Sequence, residues 1–383
     1  MNSVVIAKFG GSAIGVDGIS IPIIIQRINS LSKDAKVVAV FSAPLTVVEE
    51  KRRSLTDVAL ELGKRAEEGK AFDLIILRKT YEKILELVSS EFQEECKTTI
   101  DDCLDMVRIE LEKAIEKKEF ADEVRSKTLA YSGEILMSHM MEYILQSQGI
   151  KSKVVGLDNW PIITDSNIES TNFLASESNK KVEFLERLLD ENQVITIGGF
   201  IGRTADGVIT TYERGGSDRT AADLGILLHK KFDVKINLEK DSSVVSADPR
   251  IVKDGLTEVH SISYNEARLA GMFGMNILDP IAIKEILENG ASLPIVITDM
   301  RNPEKTTTIE RKPNNDNGHP IKIITGKKNC AILRIEDEFV HKLLESLENK
   351  KRYSEFVILS PFTKDGIKFS RILFLDGDYV KRN

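Results

Sequence analysis

Cysteine is scarce in this chain. Cys96, Cys103 and Cys330 are an odd number at no metal-like spacing, which argues against a disulfide framework or a zinc site and leaves inert thiols as the expectation. Histidine is nearly as rare: His139, His229, His260, His319 and His341 are too scattered to suggest a metal cluster, and His139 reads with Met137, Met140 and Met141 as helix packing. The single tryptophan, Trp160, precedes a strand-like run and also reads as packing. No apolar run reaches the ~18 residues of a membrane span, so a soluble, cytoplasmic chain with no membrane contact is expected. Positive charge is not in surplus either. With 53 Lys and Arg against 60 Asp and Glu, the formal net charge is −7, and a surface that grips nucleic acid is not expected. No nucleophile–base pair and no GxxxxGK(S/T) phosphate loop can be read. What the chain does have is length and apolar content: 383 residues, 42% hydrophobic, enough for one large core and a smaller second one. A small ligand is the expected partner.

Residues 4–9 form a β-branched run closed by Gly10 and Gly11, and residues 37–42 repeat the pattern before Pro44. With a helix from about residue 21 between them, these predict the start of a parallel α/β sheet. Residues 55–148 read as helical, with apolar positions at three- and four-residue spacing and an ordinary solvated charged face. Strand-like text returns at 153–155, 194–197, 234–238 and 294–297, alternating with helical stretches at 182–189, 220–230 and 281–289. Residues 301–320 collect Asn, Pro, Lys, Thr, Asp and Gly, which predicts a linker. The expected division is therefore 1–300, a linker over 301–320, and 321–383 as a small α+β unit of β-α-β-β order. Such a unit holds little core alone, so a homodimer formed through it is expected.

The strongest local signal is GGFIGRTADGVITTYERGGSDRTAA, residues 198–222. Arg214 is followed by two glycines, Ser217, Asp218 and then a helix. Free N–H groups at a helix start, close backbone approach at glycine and a serine hydroxyl suit an anion. Arg214 suits a carboxylate, and Asp218 suits a lysine or a magnesium ion. The same residues also suit a plain strand-to-helix turn capped by Ser217 or Asp218. A second loop, KFGGS, places Lys8 at a strand end beside Gly10, Gly11 and Ser12, where an amine could meet transferring phosphoryl oxygens. A capped strand and a glycine turn explain that loop equally well.

Taken together, KFGGS, FSAP at 41–44, SLTD at 54–57, YSGE at 131–134, the run from residue 199, SADPRIV at 246–252 and TGKKNCAILRI at 325–335 resemble aspartokinases of the amino acid kinase superfamily. The resemblance implies a three-layer αβα sandwich, a shortened C-terminal ACT-like region, and transfer of the γ-phosphoryl of ATP, with Mg2+, to the β-carboxylate of L-aspartate. That reaction opens the route to lysine, threonine and methionine. The resemblance further implies that Lys8 neutralises charge on the transferring phosphoryl and that Asp218 orients Lys8. Gly10, Gly11 and Ser12 would cradle phosphate, while Glu134 would hold the amino group of the substrate and Arg214 a carboxylate. Ser42 and Ser217 would line the same cleft, and Lys240, Arg250 and Asn276 the nucleotide.

The nucleotide end departs from the family pattern. Where aspartokinases carry a threonine–aspartate pair this chain has Glu239 and Lys240, the later tyrosine is Val245, and FGAKVLHP becomes FGMNILDP at 273–280. A lysine is thereby replaced by Asn276 and a histidine by Asp279, and Lys240 is a candidate for the lost charge. The tail after the linker suits a single or partial ACT-like unit, so weak or absent feedback inhibition is expected. Three readings stay open: an aspartate kinase, a related kinase with another carboxylate acceptor or altered nucleotide, and a non-catalytic binding homologue.

Overall fold

The computed structural model describes residues 3–213, 215–275, 277–313, 321–349 and 356–375. Its first strands are β1 (Ser3–Phe9), β2 (Lys36–Phe41), β3 (Leu45–Val48), β4 (Lys51–Ser54), β5 (Ser152–Val154), β6 (Val194–Gly198), β7 (Ile201–Arg203) and β8 (Ile209–Thr211). The remainder are β9 (Asp233–Lys240), β10 (Ser261–Ser263), β11 (Ile295–Asp299), β12 (Asn302–Glu310), β13 (Ala331–Glu336), β14 (Phe356–Lys364) and β15 (Ile367–Phe374). Eight of them make one sheet in the order β10-β12-β11-β9-β1-β2-β6-β5. From β11 through β5 all neighbours are parallel.

Handedness turns that order into layers. The chain steps from β1 to β2 in one direction through the helix Ile21–Leu31, and from β6 back to β9 in the other through the helix Gly216–Leu228. Right-handed crossovers in opposite directions put their helices on opposite faces. The helix Pro280–Glu288, on the same return path, packs on Gly216–Leu228. A sheet covered on both faces must be apolar throughout, and the strands VITIG of β6 and IVITD of β11 are buried at every position. Phe9 and Phe41 stack across β1 and β2 at 5.4 Å, at the core's centre.

The helical stretch expected over 55–148 is five helices: Leu55–Glu67, Ile75–Leu85, Gln93–Lys117, Asp122–Ser132 and Glu134–Ser147. Ser54 starts the first by accepting the Asp57 N–H at 3.1 Å. Cys96, Cys103, Met137, Met140 and Met141 fill this core, Cys330 is exposed, and Trp160 is buried with its indole N–H on the Ile201 carbonyl at 3.1 Å. One expectation fails. The stretch 301–320 is not all linker, because Asn302–Glu310 forms β12, antiparallel to β11 and parallel to β10. Its exposed polar half hid the signal, while Thr307 and Ile309 are buried. Beyond it β13, the helix Val340–Asn349, β14 and β15 give the expected β-α-β-β order, in a sheet β13-β15-β14 with Ile372 and Phe374 as its small core.

Candidate functional site

The carboxyl ends of β1, β2, β6 and β9 lie level, because Phe9 pairs in register with Phe41 and Glu239, and Phe41 with Gly198. In a parallel sheet that edge is where ligands bind, since the loops leaving the strands diverge there. A cleft of about 950 Å³ opens over it. Lys8, Gly10, Gly11, Ser12, Ser42, Glu134, Ser217, Asp218 and Lys240, all singled out in sequence, line it.

Lys8 Nζ lies 2.8 Å from Asp218 Oδ1, joining the end of β1 to the first turn of the helix Gly216–Leu228. The other Asp218 oxygen accepts the Asp279 N–H at 3.1 Å. Burial alone would push the Asp218 carboxyl up, but Lys8, Lys240 and that N–H outweigh it and hold the group below its ordinary value. Ser42 Oγ donates to Ser217 Oγ at 2.9 Å, tying the loop after β2 to the same helix start. Glycine allows two close contacts: a Cβ on Gly11 would sit 2.8 Å from the Ala43 carbonyl and one on Gly199 2.6 Å from Ser217 Oγ, whereas one on Gly10 would crowd only the movable Lys8 amine, at 3.1 Å. Gly215, which caps the helix, has φ +97°, and Phe200 at the cleft wall has φ +69°.

Glu134 behaves differently. It is 5% exposed, and its Oε2 has no hydrogen-bond partner. Burial pushes the carboxyl up to about 8, against the opposing N–H groups of Ala43 and Glu134 and the charge of Lys8. A buried, unpaired carboxylate oxygen beside a cleft is costly to leave unmet, and a cationic donor such as an ammonium group would meet it. Asp279, at the position of the family histidine, caps the helix Pro280–Glu288 by accepting the Ile281 N–H at 2.9 Å, and burial raises it to about 6.

Not every expected residue reaches the cleft. Arg250 is exposed and folds back on Asp248, its Nη2 at 2.7 Å from Oδ2, and does not line the cleft. Arg214 and Asn276 lie outside the described residues. Other groups escaped sequence reasoning. Arg27 makes a bidentate pair with buried Glu239, Nε at 3.0 Å and Nη2 at 2.9 Å, and so neutralises that departure from the family pattern. Behind the site, Arg219 stacks 4.0 Å over the Tyr212 ring and pairs with buried Glu285 through Nε at 3.2 Å, while Tyr212 donates to Asp223. Arg219 and Asp223 stand within the run already noticed, whereas Glu285 has no local signal. The β3–β4 hairpin adds Arg52 and Arg53 to the cleft rim. Arg53 pairs with Glu61, whereas Arg52 has no carboxylate partner among the described residues.

A buried carboxylate beside a lysine–aspartate pair and a glycine loop can accommodate an amino group next to an anionic one. Residues matching the aspartokinase of Rickettsia felis are 30% identical over 206 positions, 54% of this chain and 49% of that protein. The bifunctional aspartokinase/homoserine dehydrogenase 2 of Arabidopsis thaliana is 31% identical over 224 positions, 56% of this chain and 24% of that protein. The chain thus spans about half the length of the first and a quarter of the second. In structure it is similar to E. coli aspartokinase III in complex with aspartate and ADP, with a TM-score of 0.77 at 18% identity over 98% of this chain and 79% of that one. The Amino acid kinase family matches residues 3–299, taking in the whole central sheet up to β11, Lys8, Glu134 and Asp218; with that span the chain belongs to the amino acid kinase family.

Proposed function

We propose that this protein is an aspartate kinase, transferring the γ-phosphoryl of ATP to the β-carboxylate of L-aspartate to give 4-phospho-L-aspartate. The observation that carries the reading is Glu134: a buried carboxylate with an unpartnered oxygen in the same cleft as the Lys8–Asp218 pair. Glu134 takes the substrate ammonium, and Ser42 and Ser217 bond its polar groups. Lys8 draws off the negative charge of the transferring phosphoryl while Asp218 fixes where its amine points. The loop Gly10, Gly11, Ser12 supplies backbone donors to phosphate. The substrate carboxylate oxygen forms a bond to the γ-phosphorus as the bond to the bridging oxygen breaks and ADP leaves with that electron pair. No proton is transferred, so no general base is required; positioning and positive charge do the work. Magnesium would arrive with the nucleotide as MgATP and would offset charge on its phosphates. The roles of Arg214 on a substrate carboxylate and Asn276 on the nucleotide rest on their motifs. For Arg250, its exposed pairing with Asp248 favours a loop-stabilising role instead.

Similarity to the Rickettsia felis aspartokinase and the plant bifunctional enzyme supports aspartate as acceptor. A related kinase with another acidic acceptor is the second reading, favoured by Arg52, which adds a cation to the cleft rim. Acyl phosphate trapped as hydroxamate decides between them. Aspartate with ATP is expected to give the product, product with a different acceptor alone would support the second reading, and none with any acceptor and nucleotide would leave a binding protein. In the same proposal the C-terminal unit joins two copies. Among the described residues no helix is long and apolar enough to cross a membrane.

A further inference from the structure

We propose that Lys240 is a second phosphoryl-holding cation, set beside Lys8 so that two ammonium groups meet the transferring phosphate. The inference rests on the kinase reading above and assigns it a further catalytic residue.

Lys240 ends β9, the neighbour of β1, and the parallel register that pairs Phe9 with Glu239 brings Lys240 to the same edge as the end of β1. Lys8, Lys240 and Asp218 all line the cleft. Lys240 Nζ donates to the Ile277 carbonyl, in the segment leading into the helix Pro280–Glu288, so its amine is anchored to backbone rather than free to swing into solvent. Glu239, the adjacent acid, is occupied by Arg27 and does not neutralise it.

Asp218 lies in the field of both lysines, with exposed Asp241, half-buried Asp279 on the Asp218 carboxylate and buried Glu134 in the field of Lys8 around them. The two ammonium groups repel each other, and a phosphoryl oxygen between them would be an acceptor common to both. Burial, then the charge of Lys8, push Lys240 down to about 8, against the pull of Asp218 and Asp241. Lys240 is thus a half-buried amine at the cleft wall whose chain is fixed by the Ile277 carbonyl. During transfer Lys240 gives up no proton. It bonds phosphoryl oxygens whose charge shifts as the oxygen–phosphorus bond to the acceptor forms and the bond to ADP breaks.

The decisive comparison is Lys240→Met against Lys240→Arg in the full chain, with folding followed by circular dichroism. At neutral pH the methionine variant is expected to lose about a hundredfold in kcat, as when one fixed donor to a developing charge is removed, with KM for aspartate nearly unchanged. Arginine, charged at every pH, is expected to restore much of that turnover. Wild-type kcat is expected to fall as pH rises through about 8, as Lys240 loses its proton, and the arginine variant to keep its activity there. Near-normal turnover in a folded methionine variant would overturn the proposal. So would equal loss in both variants with no change in the alkaline limb. Should the wild type phosphorylate no acceptor, the kinase reading falls, and calorimetry with ATP and magnesium still decides the point: about tenfold weaker binding to Lys240→Met sustains it, and equal binding refutes it.

Discussion

Glu134 shows what one buried residue costs and what that cost is for. Its folded-state carboxyl, near 8 rather than the ordinary 4.5, binds a proton that the unfolded chain releases. Stability attributable to it is therefore highest below pH 4.5 and is lost as pH rises through about 8, about 5 kcal/mol if the full shift applies. Glu134→Gln removes that dependence, and thermal melts at pH 8 should show a variant more stable than the wild type. Function runs the other way. On the proposed reading the charged form holds an ammonium group, so acceptor binding should strengthen as pH rises from 6 toward 8 and release a proton, measurable by calorimetry in buffers of different ionisation enthalpy. KM for aspartate in Glu134→Gln should be raised and nearly independent of pH. The role proposed for Lys8 is simpler: positive charge on the phosphoryl group. Lys8→Met should lower kcat by about 10²–10³ in a folded protein, and normal turnover would exclude it from catalysis.

Among the elements, the helix Gly216–Leu228 is the one on which the site depends. Its first turn carries Ser217 and Asp218, its buried flank carries Arg219 and Asp223, and it docks against the end of β6 through Gly199. A methyl group on Gly199 would meet Ser217 Cβ and Oγ at 2.6 Å, so Gly199→Ala must move the helix start. Overpacking of this kind costs about 1–3 kcal/mol, and the Ser42–Ser217 and Lys8–Asp218 contacts should loosen with it. Turnover is expected to fall more than stability. Gly156→Ala is the control, because a Cβ there meets nothing within 4 Å, and it should leave both the melting temperature and the activity unchanged.

Over the whole molecule the net charge is −7, and the cleft carries both signs: Lys8, Lys240 and Arg52 share its wall with carboxylates such as Asp57, Glu169 and Glu213. Nucleotide phosphates would then be held by short-range bonds to particular cations and not by a net positive field. The KM for ATP should accordingly change little between low salt and physiological salt, and a steep rise would show a focusing field after all. The C-terminal sheet raises a separate question. It buries Ile372 and Phe374 while Ile332 stays 62% exposed. If that sheet joins two copies, light scattering should report a dimer for the wild type and a monomer for Ile332→Lys.

Alternation of apolar runs with helical periodicity was enough to read the α/β class, because a parallel sheet covered on both faces demands continuous apolar strands. The glycine loops, Lys8, Ser217 and Asp218 were legible for a similar reason: anion-binding turns need particular residues within a few positions of one another. β12 was not legible, since only part of it is buried and its polar part has the composition of a loop. The pairs Arg27–Glu239 and Arg219–Glu285 were not legible either, as their partners stand far apart in the chain and meet only when sheet and helices pack. Arg250 was assigned to the nucleotide by its motif and is turned outward by a bond to Asp248 two residues away. Local chemistry and hydrophobic period are written in the order of residues and decide the class of fold and the anion loops. The charge state of Glu134 and the company of Lys240 depend on burial and on distances across strands, and those exist only in the folded chain.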